Sequence, residues 1–222
     1  MIRSRSLLFL FLGMSFAALA HCYGRYLMEA MLPLYRFSLS HLDSRIEIAS
    51  LGIIEHQSQQ FVQFEGIVSR PFFIGEQYFL NLSTLLSGTR IPLDYALQPM
   101  VIFLTFVFAW PAGESASRNA LQPAKKIRTY VVPYVYRICW GTPWILILML
   151  LDFPMQFIYI LWASIEKSLN VAGDAHGLLL FWSDFLNGGG LIMLSIAISM
   201  IAIALSRHPL FSQDASSKRL MQ

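Results

Sequence analysis

The chain has 222 residues, of which 56% are hydrophobic and 13% are charged, and its formal net charge is +3. Soluble domains carry roughly 25% charged residues, so this composition excludes an ordinary water-soluble domain and indicates an integral membrane protein. The small positive charge, without a basic cluster interleaved with aromatic residues, predicts no nucleic-acid partner. Cys22 and Cys139 are isolated from each other and form no metal or redox motif.

Four apolar stretches are long enough, or nearly long enough, to cross a bilayer, which takes about 20 helical residues. Basic residues precede the first stretch, separate the second from the third and follow the fourth. Short basic loops stay in the cytoplasm, so we expect a multi-pass membrane protein with both termini cytoplasmic. We take the membrane to be a bacterial inner membrane, a setting that the family resemblance given below implies. The predicted segments are an N-terminal anchor 1–28, a periplasmic β-rich segment 29–94, a second transmembrane helix 95–112, a cytoplasmic basic loop 113–130, a third helix 131–163, a periplasmic loop 164–184, a fourth helix 185–206 and a cytoplasmic tail 207–222.

The first stretch also fits a secretory signal peptide over residues 1–20. It has a basic start, "MIRSRS", an apolar run over 7–17 and a small-residue cleavage site, "ALA", at 18–20. Apolar residues continue past that site in "YLMEAMLPLY", which favours a retained anchor. Both alternatives remain open at this stage.

The periplasmic segment carries the signature of a small β-sheet. The stretches 45–56 and 59–69 are rich in Ile, Val and Phe and are separated by "QS", which predicts a hairpin. A third strand is expected over 76–86, between two turn-like stretches, "RPFFIG" and "SGTRIP". The predicted fold is therefore about four transmembrane α-helices with a small β-rich domain on the outer face, between the first and second spans.

Apolar and polar residues alternate along the second predicted strand. Val62 and Phe64 alternate with Glu65, which gives the sheet one face to bury and one face for solvent. A sheet of three or four strands also has an unpaired edge, which is a template for an added peptide. We therefore expect Val62, Phe64 and Glu65 to form a partner-binding strand. The alternative is that residues 29–42 or the membrane cover this edge.

The third apolar stretch contains an acid, a proline and an amide in "LMLLDFPMQFIYILW". If the stretch is one long helix, Asp152 lies within the membrane and is a functional candidate, with Pro154 and Gln156 beside it. If the span ends at Leu151, Asp152 caps a new helix that has Pro154 in its first turn. The second placement is favoured, so the third helix is expected to break at Asp152–Pro154.

A second polar group precedes the fourth span. Asp184 and Asn187 are one helical turn apart and are followed by Gly188, Gly189 and Gly190. The glycines are expected to let helices pack closely or to line a polar cleft, and Asp184 is expected to cap the last span.

Catalytic motifs are absent from the sequence. No nucleophile with a base at motif spacing, phosphate-binding loop or metal-ligand spacing is present, so we expect no catalytic residue, no metal and no cofactor. A hydrolytic site built from Asp152, His176 and Asp184 is a remote hypothesis, because their spacing specifies no ligand geometry.

The layout resembles one known family, the membrane proteins associated with exosortase H. The corresponding pieces are "LNLSTLLSGTRIPLDYALQPMVIFLTFVFA" and "FPMQFIYILWASIEKSL", with Pro154, Gln156 and Lys167 in matching order. The sequence departs from the family in having "NLST" where an Asn-Pro pair is expected. The resemblance implies an accessory of a protein-sorting system that has no catalytic role itself.

The predicted function is a non-enzymatic accessory or assembly subunit of a membrane protein complex. Its expected partners are membrane lipids and another membrane protein. The alternative function is a small oligomeric transporter or channel subunit, in which Asp152 and residues 187–190 form a polar path. Four spans are few for a lone carrier, and the sequence has no inverted repeat.

Overall fold

The computed structural model describes residues 2–74, 77–79, 82–110, 123–169 and 177–206. Five α-helices and five β-strands occur in these ranges, and the last two helices are joined by a π-helical turn over Leu186–Gly190. The helices are α1 Ile2–Leu42, α2 Leu93–Ala109, α3 Pro123–Leu169, α4 Gly177–Phe185 and α5 Leu191–Leu205; the strands are β1 Ile46–His56, β2 Gln59–Val68, β3 Phe72–Ile74, β4 Gln77–Phe79 and β5 Leu82–Pro92.

Three helical stretches among the described residues are long and apolar enough to cross a membrane. They are Ser6–Leu42, Val131–Leu169 and Leu180–Leu205, and a shorter apolar helix covers Leu93–Ala109. A small antiparallel sheet lies between the first two helices in the chain. This arrangement is compatible with the expected membrane protein that carries a small β-rich segment.

The chain divides into two compact units. We call the first the helical unit, which comprises Met1–Ala17, Met100–Leu146 and Met193–Gln222. We call the second the mixed unit, which comprises Ala18–Pro99 and Ile147–Ile192 and contains the sheet.

Small residues let the helices of the helical unit approach closely. A Cβ atom added at Gly141 would collide with the Phe103 ring, so α2 and α3 meet where α3 has no side chain. Aromatic contacts join α1 to α2, with Phe9 and Phe106 ring centroids 4.9 Å apart. The outward faces are apolar, as expected for helices in contact with lipid: Trp144 is 56% exposed and Met14 is 74% exposed.

Arg137 is fully buried in the helical unit, where it holds two helix ends. Its guanidinium donates to the carbonyl oxygens of Val107 (3.1 Å) and Trp110 (2.6 Å), at the end of α2. It also donates to the Ser206 hydroxyl (2.9 Å), just after α5. Carbonyl groups at a helix end have no donor within the helix, so a cation is stabilising there. The Arg137 side chain is therefore enclosed by protein.

The sheet of the mixed unit has three antiparallel strands in the order β1-β2-β5. The β1–β2 hairpin turns at Gln57 and Ser58, whose positive φ angles (50° and 64°) match the twist of a tight hairpin. The predicted hairpin and its "QS" turn are therefore confirmed. The pairing of β1 with β2 shifts between Ile48 and Ser50, which places a β-bulge at Ala49.

The rest of the sheet differs from the prediction. Residues of "SGTRIP", expected to form a turn, lie in β5, which continues to Pro92. Residues of "RPFFIG" form β3, which pairs with β4 as a separate two-stranded ribbon. The Gly, Pro and Ser residues of this stretch predicted a turn, but Ser87 and Gly88 pair with β2 and so belong to a strand. Pairing with β2 thus outweighs the low strand preference of these residues.

Aromatic rings join the sheet to the long helices inside the mixed unit. Phe64 of β2 lies 5.2 Å from Phe157 of α3, measured between ring centroids. Tyr35 of α1 lies 5.0 Å from Phe153 of α3. All four rings are almost completely buried. The core of this unit is therefore built from one sheet face and from the facing sides of α1 and α3.

The helix boundaries also correct the expected segments. The α3 helix continues without a break through Asp152 and Pro154 to Leu169, so residues 164–169 belong to a helix and not to the predicted loop 164–184. Residues 177–184 of that loop lie in α4. Residues 123–130 of the predicted basic loop lie in α3, whereas residues 113–122, the tail 207–222 and His176 lie outside the described residues.

Candidate functional site

Five polar side chains of the mixed unit form one hydrogen-bonded network, which we call the polar network. Gln156 donates from its amide nitrogen to Asp152 Oδ1 (2.8 Å) and to the Tyr95 hydroxyl (3.0 Å). Tyr95 donates to Asn187 Oδ1 (3.0 Å), and Asn187 donates to the Ser183 hydroxyl (3.2 Å). The network therefore connects α3 to α2 and to the π-helical turn.

Helical spacing explains how the network forms. Asp152 and Gln156 are four residues apart on α3, and Ser183 and Asn187 are four apart across the end of α4, so each pair lies on one helix face. Asp152, Gln156 and Ser183 are nearly inaccessible to solvent. Burying such groups is unfavourable unless they are hydrogen-bonded, and the network supplies the bonds.

The expected helix cap at Asp152 is wrong. The α3 helix is continuous there, and the carboxylate accepts a hydrogen bond from Gln156, one turn later, rather than from backbone N–H groups at a helix start. Helix continuity agrees with the alternative of one long helix, in which Asp152 is a buried acid. Asp152 and Gln156 are brought together as candidates, and Pro154 lies between them.

Pro154 has a structural consequence within α3. Proline has no N–H, so the Leu150 carbonyl one turn earlier loses its helical donor. The Ser38 hydroxyl of α1 donates to that carbonyl at 3.1 Å. The proline is therefore tolerated because a neighbouring helix replaces the missing donor.

The three glycines form the π-helical turn rather than a helix-packing surface. Gly189 has a φ of 107°, a conformation that favours glycine, and the Leu191 N–H closes the turn onto the Leu186 carbonyl. A Cβ atom at Gly188 or Gly189 would meet no atom within 4 Å, whereas one at Gly190 would lie 2.5 Å from the Phe185 ring. The expected close packing of helices at Gly188 and Gly189 is therefore wrong.

Asp184 lies outside the polar network. It is exposed within α4, so it does not cap the start of the last span as expected. It has no side-chain hydrogen bond to any residue in the described ranges. Asn187, by contrast, is a member of the network, so the structure separates two candidates that the sequence had grouped together.

The predicted partner-binding strand is the central strand of the sheet. Val62 and Phe64 are fully buried, and β2 has β1 on one side and β5 on the other. Glu65 accepts hydrogen bonds from Ser50 (2.7 Å) and from Gln63 (2.5 Å) on the opposite face. The alternation of buried and exposed faces is confirmed, but addition of a peptide to this strand is wrong because both of its edges are occupied.

Sequence reasoning missed a polar junction where α1 meets β1. Arg45 donates twice to the Asp43 carboxylate, from Nε and Nη2, at 2.8 Å each, and Trp162 of α3 donates to the same carboxylate at 3.0 Å. The Arg45 guanidinium lies 4.6 Å from the centre of the Trp162 ring. Burial alone would raise the pKa of the Asp43 carboxyl, but these hydrogen bonds outweigh it and hold the pKa below its ordinary value of 3.8.

The sequence contained partial signals for these residues. The four-residue spacing of Asp152 with Gln156 pointed to one face of a helix, but nothing in the sequence indicated that Tyr95 would bridge them to Asn187. The junction was hidden because Asp43 and Trp162 are 119 positions apart.

The described residues offer no metal-ligating chemistry. No group of three or more His, Cys, Asp or Glu side chains that is able to hold a metal ion occurs within them. Cys22 and Cys139 are both exposed free thiols. The chemistry that the described residues of the polar network do show is hydrogen bonding.

Comparison with protein-family models, with curated proteins and with solved structures gives no match to this chain.

Proposed function

We propose that this protein is an integral-membrane accessory subunit that holds a partner protein at the edge of its outer β-sheet, without catalysing a reaction. The observation that carries the proposal is the position of β1. Within the described part of the chain β1 has one strand neighbour, β2, and the first three residues of β1 line an open groove. An unpaired strand edge beside open space is the standard arrangement for recognition of an extended segment.

The lengths of the helices support a role that extends beyond the bilayer. The α1 helix has 41 residues and α3 has 47 residues. At about 1.5 Å per residue they rise about 60 and 70 Å, roughly twice the 30 Å of a hydrocarbon core. Both helices therefore continue well beyond a membrane that they cross, which suits a protein that supports a domain outside it.

The proposed orientation places both termini in the cytoplasm of a bacterial cell and the sheet on the periplasmic side of the inner membrane. It rests on the basic residues near the start of α1 and of α3. A reporter that is active only in the periplasm should be active when fused at Gln60, and inactive at Gln122 or after Ser212. Activity at Gln122 would contradict the orientation.

The partner class to test first is a membrane-embedded sorting protease. That choice follows from the resemblance in layout to the proteins associated with exosortase H.

Site-specific photo-crosslinking in native membranes tests the proposal. A photoreactive residue at Glu47, which is exposed on β1, should form one defined adduct with a second protein. The same residue placed at Met14, on the apolar exposed face of α1, is the matched control and should form no such adduct. If Glu47 and its neighbour Ser44 both give no protein adduct in cells that express the native complex, the proposed function is wrong.

The polar network favours a second candidate, a small oligomeric transporter or channel subunit. Its specific support is the series of hydrogen bonds from Asp152 through Gln156 and Tyr95 to Asn187, beside a π-helical turn. Turns of this kind are frequent at functional sites. Asp152→Asn should then abolish transport of a solute across vesicles, whereas an accessory subunit should retain its partner adduct in the same variant.

A further inference from the structure

The groove beside β1 is bounded by two elements of the mixed unit. Its α1 wall contains Pro33, Arg36, Phe37 and Ser40, and its β1 wall contains Ile46, Glu47 and Ile48. Ser44, Ser69 and Arg70 complete the lining, and the groove has a volume of about 610 Å³. It is therefore large enough for a short stretch of extended polypeptide.

The backbone of β1 has hydrogen-bonding groups that point away from β2, at residues that line this groove. Ser69 N–H donates to the Arg45 carbonyl at 2.9 Å, so Arg45 faces β2. Backbone groups of alternate residues in an antiparallel ladder point to opposite sides. Ile46 and Ile48 therefore direct theirs away from β2. The Ile46 N–H is already bonded to the Asp43 carbonyl at 3.2 Å, which leaves the Ile46 carbonyl and both backbone groups of Ile48 without a hydrogen-bond partner among the described residues.

The groove carries a net positive charge, from two arginines and one glutamate. Arg36 and Arg70 are both exposed, and neither has a side-chain hydrogen bond or ion pair with any residue in the described ranges. Glu47 is the single acid of the lining. The neighbouring Phe37 ring is 64% exposed, so an apolar surface lies next to the two guanidinium groups.

We propose that this groove binds an extended acidic segment of the partner protein. The segment adds to the Ile46–Ile48 edge of β1 through its backbone, places carboxylates against Arg36 and Arg70, and rests an apolar side chain on Phe37. The bulge at Ala49 limits regular pairing to about three residues, so recognition depends on the charges as well as on the backbone. This inference rests on the proposed function and specifies the chemistry of its partner.

A phospholipid headgroup is the competing ligand for the two arginines. Its phosphate matches a guanidinium as well as a carboxylate does. However, a lipid provides no backbone amide and carbonyl to pair with Ile48, whereas an extended peptide satisfies the strand edge and the arginines together. The peptide is therefore the better match to the whole groove.

Binding of synthetic peptides to the full-length protein in nanodiscs of zwitterionic lipid tests the inference. The probe is a fluorescent pentapeptide that alternates valine with aspartate and glutamate, and its control carries asparagine and glutamine instead. We expect the acidic peptide to bind at least about tenfold more tightly than the amide control. An acidic peptide with N-methylated backbone amides should bind at least about tenfold more weakly than the unmethylated one, because it cannot pair with the edge strand.

Variants of the protein locate the binding. Arg36→Gln and Arg70→Gln should each lower the affinity for the acidic peptide by about tenfold. Arg90 is an exposed arginine on β5, and Arg90→Gln should not change this affinity. Equal binding of the acidic and amide peptides, or an equal effect of Arg90→Gln, overturns the inference. Competition by anionic lipid, without discrimination of the N-methylated peptide, also overturns it and identifies a headgroup as the ligand.

The outcomes for the groove and for the proposed function are separable. If a Glu47 adduct with a protein forms in native membranes but the acidic peptide does not bind, the accessory function stands and the acidic chemistry is wrong. If Glu47 and Ser44 form no adduct, the accessory function itself fails.

Discussion

The hydroxyl group of Ser38 on α1 donates to the Leu150 carbonyl on α3 at 3.1 Å. That carbonyl is the acceptor that Pro154, four residues later, leaves without a helical donor. Two helices are thus joined at the point where one of them has a gap in its own hydrogen bonding.

Replacement of Ser38 by alanine should therefore be costly only while Pro154 is present. We expect Ser38→Ala to lower the free energy of unfolding by about 1 kcal/mol, because it leaves a half-buried carbonyl unpaired. In a Pro154→Ala background the helix supplies its own donor, so the same change should cost less than half as much. Chemical denaturation of the four proteins of this double-mutant cycle in detergent measures the difference. Equal costs in both backgrounds would contradict the assigned role of Ser38.

Tyr95 should couple Gln156 to Asn187. Tyr95→Phe keeps the ring but removes the hydroxyl that accepts from Gln156 and donates to Asn187, so we expect a loss of about 1–2 kcal/mol of stability. Asn187→Ala should cost less in the Tyr95→Phe background than on its own, because the bond that they share is already lost and only the bond to Ser183 remains to be removed. Tyr78→Phe, at an exposed ring of β4, is the control and should have almost no effect. Strict additivity of Tyr95→Phe and Asn187→Ala would show that the network does not act as a unit.

Gly141 should not tolerate a methyl group. A Cβ atom there collides with the Phe103 ring, so we expect Gly141→Ala to destabilise the protein by about 1–3 kcal/mol. Gly52→Ala is the matched control, because a Cβ atom at Gly52 meets nothing within 4 Å. Adding Phe103→Leu to Gly141→Ala should restore part of the loss. Thermal unfolding monitored by circular dichroism ranks the three variants, and a silent Gly141→Ala would refute the close approach of α2 and α3.

The junction of α1 with β1 should weaken in acid. The pKa of Asp43 is lower in the folded protein than its ordinary value of 3.8, so its contribution to stability is complete above about pH 4 and is lost as the pH falls through the folded pKa. Protonation releases Arg45, and the Trp162 environment should change over the same range. We expect the free energy of unfolding of Asp43→Asn, measured between pH 2 and 6, to lack this acid-dependent decrease. If the stability of Asp43→Asn falls in acid as much as that of the unaltered protein, Asp43 does not cause the fall.

Arg137 should be essential to the ends of α2 and α5. Arg137→Met keeps much of the side-chain volume but removes the donors to Val107, Trp110 and Ser206, so we expect a loss of about 2–4 kcal/mol. Arg36→Met, at an exposed position, should change stability by less than about 0.5 kcal/mol. Denaturant unfolding compares the two variants. A loss no larger for Arg137 than for Arg36 would contradict the role as a helix-end donor.

Patterns of short range could be predicted from the sequence. The β1–β2 hairpin followed from alternation and from a two-residue turn, and the apolar helices followed from length and composition. Both signals are local, so they require no knowledge of what packs against them.

The candidate site depended on contacts that are remote in the chain. Asp152 was expected to end a helix because an acid followed by a proline commonly does so, yet Ser38, far away in the sequence, makes the continuous helix tolerable. In the same way, β5 extends through a stretch with turn-like composition because β2 pairs with it. Tertiary partners of this kind override local preference, and a single sequence does not identify them.

The bulge at Ala49 also bears on how the protein avoids assembling with itself. A long, flat, exposed strand invites copies of the same strand to stack into fibrils. The irregular pairing between Ile48 and Ser50 breaks the flat run of β1 after its first three residues. The bulge divides this edge into a run of three residues, 46–48, and a run of seven, 50–56, so a copy of the strand cannot pair regularly along its whole length. The same irregularity therefore opposes edge-to-edge stacking of copies of this chain.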